Sequence, residues 1–495
     1  MKITQPVSNH DDLMRVVDGL LQEMGLNRAD TGGKVTFAGL EPLRPTVLKV
    51  GAASAVVAVV GSIACATMHR MRGGKGQDIH VDLGKAYVYQ SPWQDVLVDC
   101  TKINGHSVMM VTDVSFTKIL PTRDNRFVLL AALYPSQHVK IADLLRCGPS
   151  EQQAAQAARK WDALELESAA QAIRLPITMV RSEAEFQATE QFKVAKELPL
   201  IHIEKIGESA PEILPPDAQP LSGIRALGMV HVVAGAACLR QFAAAGADSL
   251  NLNQPTYYEE RVIYMQSDAG VRQAIVDATT IEGRKRIYSL VKESDIFVEN
   301  LKPHEAASQG YGAEELAAIR PGLIYVRIKM NNVVGPWADW VGFDFNAGAL
   351  TGAFVDEGSM EQPQTPRSVN VVVDFLCGML GAAGAEAALI RRAKEGGSYL
   401  VTVTLTQATM FELSLGLNDK TLLNHIADLG PEHQIQKPNL VTRTTPFGEF
   451  TRLGSQVEMS ETPEAWADPI LVPLGSSRAE RLPKKSSESG KKSAA

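Results

Sequence analysis

Residues 223–253 read GIRALGMVHVVAGAACLRQFAAAGADSLNLN, and this stretch decides the fold. GIRALGM is a short apolar run typical of a buried strand, VVAGAACLRQFAAAGA (232–247) is typical of a helix of small residues, and DSLNLN (248–253) is typical of a second strand. A strand, a helix and a strand within about 30 residues form a βαβ unit, whose strands are parallel and joined by a right-handed crossover. The stretch therefore predicts a parallel sheet.

The same alternation continues toward the C-terminus. IEGRKRIYSLVKES (281–294) and GAEELAAIR (312–320) have helical periodicity, whereas DIFVEN (295–300) and GLIYVRI (322–328) read as strands. This order predicts a Rossmann-like, doubly wound α/β domain, in which ligands bind at the carboxyl ends of the strands. Asn300 lies at such an end.

Upstream of this domain, GESAPEILPPDAQP, from Gly207 to Pro220, is rich in proline and acidic residues and predicts a linker at 207–219. Before it, RFVLLAAL (126–133) and LPITMVRS (175–182) read as strands, and residues 151–173 and 183–196 each read as one helix. This part predicts a further, smaller α/β domain. Residues 1–45 are polar and contain one amphipathic helix, so they read as an arm.

Two stretches of the chain share one pattern, a helix of small residues, an arginine, a glycine pair and an alternating strand. They are residues 49–88 and 371–410, and at one constant offset the strand residues Ile79, Val81 and Leu83 match Val401, Val403 and Leu405. An internal repeat of this length suggests duplication. The same offset places Asp374 opposite Ala52, so only the second copy carries a carboxylate at its head.

Asp374 follows an apolar run and precedes an apolar helix. Two interpretations fit this position equally well. The aspartate could cap the helix, which is common and stabilises by about 1 kcal/mol, or it could be a nucleophile in apolar surroundings.

Val50 to Met68 contains no charged residue and approaches the roughly 20 residues that cross a bilayer. The second copy carries Glu386 in the middle of the same helix, and both copies consist mainly of small residues that allow close packing. We therefore expect two buried helices and no membrane span.

Composition narrows the class of protein. The chain is 45% hydrophobic and 21% charged with a net charge of −7, which argues against a nucleic-acid binder. Its five cysteines have no CxxC spacing, so neither a disulfide framework nor a metal site is predicted. Since the N-terminus has no apolar signal-like core, a reducing, cytoplasmic location is expected.

Other motifs are weaker evidence of function. Tyr288 and Lys292 have the YxxxK spacing of short-chain dehydrogenases, but the first strand lacks a glycine-rich turn after it, so a helix turn is the better interpretation. His231 and His304 each follow a strand and could face a ligand, although a lone histidine is more often structural.

Four ordered blocks resemble the class III CoA-transferases, which include formyl-CoA transferase, carnitine CoA-transferase and α-methylacyl-CoA racemase. The blocks are PLSGIRALGMVHVVAGAACLRQFAAAGADSLNL (220–252), DIFVENLKPHEAASQGYGAEELAAIRPGLIYVRI (295–328), GPWADWVGFDFNAGALTG (335–352) and the segment VVDFLCG to VTVTL (372–405). The last block resembles the segment that carries the family's nucleophilic aspartate.

The resemblance implies an unusual domain order. Residues 46–206 resemble a partial, non-catalytic unit with a small domain at about 105–185, residues 220–475 resemble the unit that carries the chemistry, and residues 476–495 form a Lys/Ser-rich tail expected to be disordered. Members of the family form interlocked dimers with sites between large and small domains. The resemblance leaves two oligomeric states as alternatives. The chain forms a homodimer, or its duplicated unit takes the place of the partner chain in a monomer.

Carried over by position, the resemblance makes Asp374 the nucleophile and Asp344 an acidic residue beside it. The positions that match CoA contacts are Val232, Val233, Ala234, Gln254, Val276 and Asn300. The implied reaction moves CoA from an acyl-CoA to a small carboxylic acid through an aspartyl anhydride and an aspartyl-CoA thioester. Coenzyme A is then a substrate, and no tightly bound cofactor is expected.

Several residues depart from the family pattern. Phe343 stands where racemases place a catalytic histidine, which argues against epimerisation, and Gln254 and Ser308 replace arginines that bind CoA in some transferases. An acyl-CoA racemase or lyase and a non-catalytic CoA-binding scaffold remain the alternative functions.

Overall fold

The computed structural model describes residues 6–90, 100–108, 116–148, 150–257, 259–366 and 373–483. The helices in this part of the chain are α1 (His10–Met24), α2 (Val50–Met71), α3 (Leu83–Gln90), α4 (Pro135–Leu145), α5 (Glu151–Ala158), α6 (Ala163–Ala172), α7 (Glu183–Gln187), α8 (Glu190–Ala195), α9 (Ala234–Ala244), α10 (Arg261–Ser267), α11 (Ile281–Lys292), α12 (Glu305–Ser308), α13 (Ala313–Ile319), α14 (Asp344–Thr351), α15 (Ala353–Glu357), α16 (Asp374–Glu395) and α17 (Leu405–Ser414).

The strands are β1 (Val35–Ala38), β2 (Ile79–Asp82), β3 (Lys102–Ile103), β4 (His106–Ser107), β5 (Phe116–Pro121), β6 (Phe127–Ala132), β7 (Ile177–Met179), β8 (His202–Gly207), β9 (Arg225–Met229), β10 (Asp248–Asn253), β11 (Arg272–Ile275), β12 (Ile296–Glu299), β13 (Ile324–Lys329), β14 (Ser398–Thr404), β15 (Leu440–Thr445), β16 (Gly448–Leu453) and β17 (Val457–Met459).

The largest sheet has the order β11-β10-β9-β12-β13-β14-β8, and the first six strands are parallel. Every residue of β12 and β14 is buried, as expected for strands covered by helices on both faces. The predicted doubly wound α/β fold is confirmed. Because the chain runs outward from β9 to β11 and then returns to β12 on the other side of β9, the sheet has its switch point between β9 and β12.

Helix α16 crosses the core and packs against α9 and α2. Glycines permit this closeness, because a Cβ built on Gly378 would lie 2.5 Å from the Ala234 carbonyl oxygen. Helix α2 is apolar and long enough to span a membrane, yet 94% of its most apolar window is buried inside the protein. The predicted buried helices are confirmed.

The two repeat segments form the same succession of elements. The first is α2, β2 and α3, the second is α16, β14 and α17, and the matched residues Leu83 and Leu405 each begin the following helix. The strands enter different sheets, however. β2 pairs with β1 and β17 in a three-stranded sheet, whereas β14 lies in the large sheet.

In the segment predicted as a smaller α/β domain, helices α4, α5 and α6 pack on the antiparallel sheet β5-β6-β7. The single helix predicted over 151–173 is wrong, because a turn separates α5 from α6. The Asp124 carboxylate accepts a hydrogen bond from the Ala163 N–H at 3.2 Å and starts the second helix. The helix predicted over 183–196 is likewise two helices, since the Thr189 hydroxyl accepts from the Phe192 N–H and caps α8.

Segments that the sequence assigns to separate units pair with one another in the large sheet. Strand β8 precedes the predicted linker and lies antiparallel to β14. At the other end of the chain, the first part of the tail predicted to be disordered is ordered. The Ser477 N–H donates to the Gln273 carbonyl at 2.9 Å, and the Arg481 side chain is buried and donates to the Ala226 carbonyl at 3.1 Å. Residues 484–495 lie outside the described residues.

Candidate active site

A cavity of about 110 Å³ lies at the carboxyl ends of β9, β12 and β13, beside the switch point of the large sheet. Ligands of doubly wound sheets bind in this crevice. Of the residues named from the sequence, the cavity wall contains His231, Val232, Val233, Ala234, Asn300, Phe343 and Asp374. The fold therefore brings most of the predicted site together.

The turn from β9 to α9 is held in a strained conformation. Val232 has φ 63°, which is rare for a β-branched residue. Its N–H donates to the Glu259 carboxylate at 3.2 Å. The Asn300 side chain accepts from the His231 N–H at 3.1 Å and donates to the His231 carbonyl at 2.7 Å. These contacts fix the turn against the end of β12.

Gln254 and Val276 do not line this cavity. They follow β10 and β11 on the neighbouring side of the sheet, where the Gln254 side-chain oxygen accepts from the Ala278 N–H at 3.2 Å. Val276 packs in the core between these strands and their covering helix. A ligand that contacts them together with Val232 must extend along the edge of the sheet.

Asp374 is the first residue of α16, and only 7% of it is exposed. The N-cap position is occupied by Val373, which has no side-chain cap hydrogen bond. Among the described residues, no donor is hydrogen-bonded to the Asp374 carboxylate. Burial raises its pKa well above the ordinary value, and the nearby Asp344 carboxylate raises the pKa further. The geometry therefore does not support the capping interpretation.

Asp344 supports the start of α16 from outside the cavity wall. It is buried at the first position of α14, where one carboxylate oxygen accepts from the Phe345 N–H at 2.8 Å and the other from the Val373 N–H at 3.4 Å. The neighbouring residue Phe343, and not Asp344, faces the cavity. Asp344 thus contacts the residue immediately before Asp374.

The corresponding start of α2 is filled by protein. Ala52 is buried, and its N–H donates to the Glu41 carboxylate at 3.1 Å. The other oxygen of Glu41 accepts from the Leu43 N–H at 3.1 Å, and a Cβ built on Gly51 would lie 2.5 Å from the Leu43 side chain. The first copy thus has an acidic group bound to its backbone where the second copy has a cavity.

Sequence reasoning missed the residues that the smaller domain contributes. Tyr134, Gln137, Arg174 and Pro176 line the cavity from the first half of the chain. The Tyr134 hydroxyl is hydrogen-bonded to His231 Nδ1. No local motif marks these residues, because only the fold brings them beside Asp374. His304 lies outside the cavity wall, exposed and 2.6 Å from the Asp339 carboxylate.

His231 is held in its neutral form. Burial lowers its pKa to about 4, and the positive charges of Lys302 and Lys329 act in the same direction. Lys329 is itself paired with Glu299 at 2.6 Å. In the described part of the chain, no group of three or more His, Cys, Asp or Glu residues could hold a metal ion.

Comparison with known proteins covers the part of the chain that contains His231 and Asp374. Residues 221–451 match the family model for CoA-transferase family III. The chain is 26% identical to the acetyl-coenzyme A transferase nodX of Hypoxylon pulicicidum, over 46% of this chain and 41% of that protein. It is 28% identical to a formyl-CoA:oxalate CoA-transferase of Escherichia coli, over 44% of this chain and 55% of the relative.

A succinate–glutarate CoA-transferase of Agrobacterium fabrum is 26% identical over 39% of this chain and 52% of its own length. The chain thus spans about half the length of the curated relatives it matches. Among solved structures, a CAIB/BAIF family protein of Brucella suis is 24% identical, with a TM-score of 0.36 over 47% of this chain and 65% of that one. Residues 221–451 therefore carry the chain's similarity to CoA-transferase family III.

Proposed function

We propose that the protein is an enzyme that transfers CoA from an acyl-CoA to a small carboxylic acid, with Asp374 as the nucleophile. The observation that carries the proposal is the position of Asp374. It is a buried carboxylate without a hydrogen-bond donor among the described residues, and it lines the cavity at the switch point of the family III region.

The proposed reaction begins when a carboxylate oxygen of Asp374 attacks the thioester carbonyl and CoA thiolate leaves, which gives a mixed anhydride. The thiolate then attacks the aspartyl carbonyl, so the first acid departs and an aspartyl-CoA thioester remains. The acceptor carboxylate then attacks the aspartyl-CoA thioester, which gives a second mixed anhydride and CoA thiolate. The thiolate attacks the acceptor's acyl carbonyl, so the new acyl-CoA forms and Asp374 is released. Each step needs only a positioned nucleophile, and the enclosed site holds the partners together.

The predicted CoA contacts fit an extended ligand. Val232, Val233, Ala234 and Asn300 would hold the part of CoA near the thioester, and Gln254 and Val276 would contact the remainder along the ends of β10 and β11. We place the reaction in a reducing, cytoplasmic compartment, which agrees with the free cysteines.

We further propose that residues 46–206 are a non-catalytic unit that supplies the second wall of the site, joined by the linker at 207–219 to the catalytic unit at 220–475. Two observations support one chemical centre per chain. The smaller domain already reaches the cavity through Tyr134 and Arg174, and the start of α2 is occupied by Glu41. A homodimer is compatible with this arrangement.

A racemase has less support, because Phe343 faces the cavity and has no group that could exchange a proton.

Isotope exchange tests the transferase directly. An isotope-labelled acid incubated with its own unlabelled CoA thioester should enter the thioester, without net hydrolysis and without solvent deuterium at the α-carbon. Deuterium uptake at the α-carbon without acid exchange would favour the racemase instead. If a broad panel of acids gives neither acid exchange nor deuterium uptake, the non-catalytic CoA-binding scaffold is favoured.

We expect Asp344→Asn to shift the pH dependence of transfer. Asp374 must be ionised to attack, so activity falls as the pH drops through its raised pKa. Removing the Asp344 charge favours the ionised form and lowers the Asp374 pKa, which should move the acid limb of kcat/KM to lower pH by about one unit. Measured pH profiles check this, with the exposed Asp339→Asn as control. An unchanged acid limb would contradict the coupling.

A further inference from the structure

The hydrogen bond between Tyr134 and His231 joins the two halves of the chain at the cavity. Tyr134 immediately precedes α4 in the smaller domain and lies outside the region that matches the family model, whereas His231 follows β9 inside it. The rings meet edge to face with centroids 5.8 Å apart, and the Tyr257 ring also packs edge to face on His231, with centroids 5.2 Å apart. The imidazole is therefore fixed by rings and by a hydrogen bond.

The backbone of His231 is fixed as well. Asn300 accepts from its N–H and donates to its carbonyl, so the residue cannot rotate without breaking two hydrogen bonds. With Nδ1 bound to Tyr134, the remaining ring nitrogen, Nε2, has no hydrogen bond to the described residues. Because His231 lines the cavity that contains Asp374, this nitrogen is available to a ligand there.

The hydrogen bond to Tyr134 determines which nitrogen of the neutral His231 ring carries the proton. Burial raises the pKa of the Tyr134 phenol, with Glu259, Tyr257 and Asp374 acting in the same direction, so the hydroxyl keeps its proton and needs an acceptor. The one acceptor recorded for it among the described residues is His231 Nδ1. If Nδ1 carried the proton, the buried phenol would lose this acceptor. In a neutral ring the proton then belongs on Nε2.

We infer that His231 is a catalytic residue whose Nε2–H donates a hydrogen bond to the thioester carbonyl oxygen, and that Tyr134 is the positioning residue that fixes its tautomer. This inference rests on the proposed transferase function. As the Asp374 oxygen forms its bond to the carbonyl carbon, the carbonyl electron pair moves to oxygen. The N–H stabilises that oxyanion without giving up its proton. When the pair returns, the carbon–sulfur bond breaks and CoA thiolate leaves.

A neutral donor suits this chemistry, since the step needs charge stabilisation and no net proton transfer. An imidazolium beside Asp374 would instead form an ion pair with the nucleophile and weaken its attack. The low pKa of His231 prevents this over the physiological range. Removing a donor of this type typically lowers kcat by about 10²- to 10³-fold.

The test combines the variants Tyr134→Phe and His231→Leu with His304→Gln as control, because His304 is exposed and outside the cavity. ¹⁵N-labelled histidine NMR should show His231 as the Nε2–H tautomer in the wild type and as a mixture of tautomers in Tyr134→Phe. We expect His231→Leu to lower kcat by about 10²-fold with a smaller change in KM. Tyr134→Phe should lower kcat less, and the control should not change it.

Three outcomes would overturn the inference. The first is that His231 is the Nδ1–H tautomer in the wild type, and the second is that Tyr134→Phe leaves the tautomer unchanged. The third is that His231→Leu raises KM and leaves kcat unchanged. The rate at which a CoA adduct forms on the protein separates this inference from the proposed function. If the wild type forms no adduct, the transferase proposal fails, and if His231→Leu forms it as fast as the wild type, only the role of His231 fails.

Discussion

Replacing Asp374 with asparagine should abolish CoA transfer. Asparagine keeps the size of the side chain, but its amide is not a nucleophile and cannot form the anhydride, so kcat should fall by at least about 10³-fold. The fold should be retained, because the change removes a buried acidic group that lies close to Asp344. Initial rates of thioester exchange measure the effect.

Asp339→Asn is the matched control, because Asp339 is an exposed aspartate outside the cavity wall and should leave the rate unchanged. Thermal melts of both variants separate loss of chemistry from loss of structure. Activity of Asp374→Asn within about tenfold of the wild type would rule out the aspartyl mechanism.

The second large effect concerns Glu386, which is buried in the middle of α16. Cys65 donates to one of its oxygens at 3.4 Å, and the other oxygen has no partner among the described residues. Burial raises its pKa to about 8. Near pH 7 the folded protein must therefore hold a proton that the unfolded chain releases, so Glu386→Gln should raise the free energy of unfolding by roughly 3 kcal/mol, since each pKa unit corresponds to about 1.4 kcal/mol.

The pH dependence gives the sign. Because the folded-state pKa of Glu386 is raised, its contribution to stability is fully present below the unfolded pKa of 4.5 and is lost as the pH rises toward about 8. Chemical denaturation at pH 4.5 and pH 8 should show that the free energy of unfolding of Glu386→Gln equals that of the wild type at the lower pH and exceeds it most at the higher pH. Glu395→Gln, at the exposed end of the same helix, is the control. An equal gain at both pH values would contradict the burial argument.

The sequence was most informative where local pattern decides structure. The βαβ unit at 223–253 predicted the parallel sheet, and the end of a strand placed Asn300 where ligands of such sheets bind. Val232 to Ala234 were named from the family resemblance, and they line the same cavity. Asp374 was suggested by its presence in only one copy of the repeat. The capping alternative could be judged only from the structure, in which Val373 occupies the cap position.

Long-range features could not be predicted in this way. Tyr134 and His231 are 97 positions apart in the sequence, and no periodicity marks such a pair. The helices predicted over 151–173 and 183–196 are interrupted because Asp124 and Thr189 supply local hydrogen bonds that start new helices. Arg481 lies in a segment of disorder-prone composition, yet its side chain is buried because strand carbonyls and Ser294 accept its hydrogen bonds.

The most direct test of the account is the mass of the protein after reaction. Incubation with an acyl-CoA and rapid acid quenching should give a wild-type chain heavier by CoA less one water, with the added mass on the peptide that contains Asp374. Hydroxylamine should remove the added mass and leave a hydroxamate at that residue. A CoA adduct on any other residue, or transfer by wild-type enzyme with no adduct while Asp374→Asn remains active, would contradict the central claim.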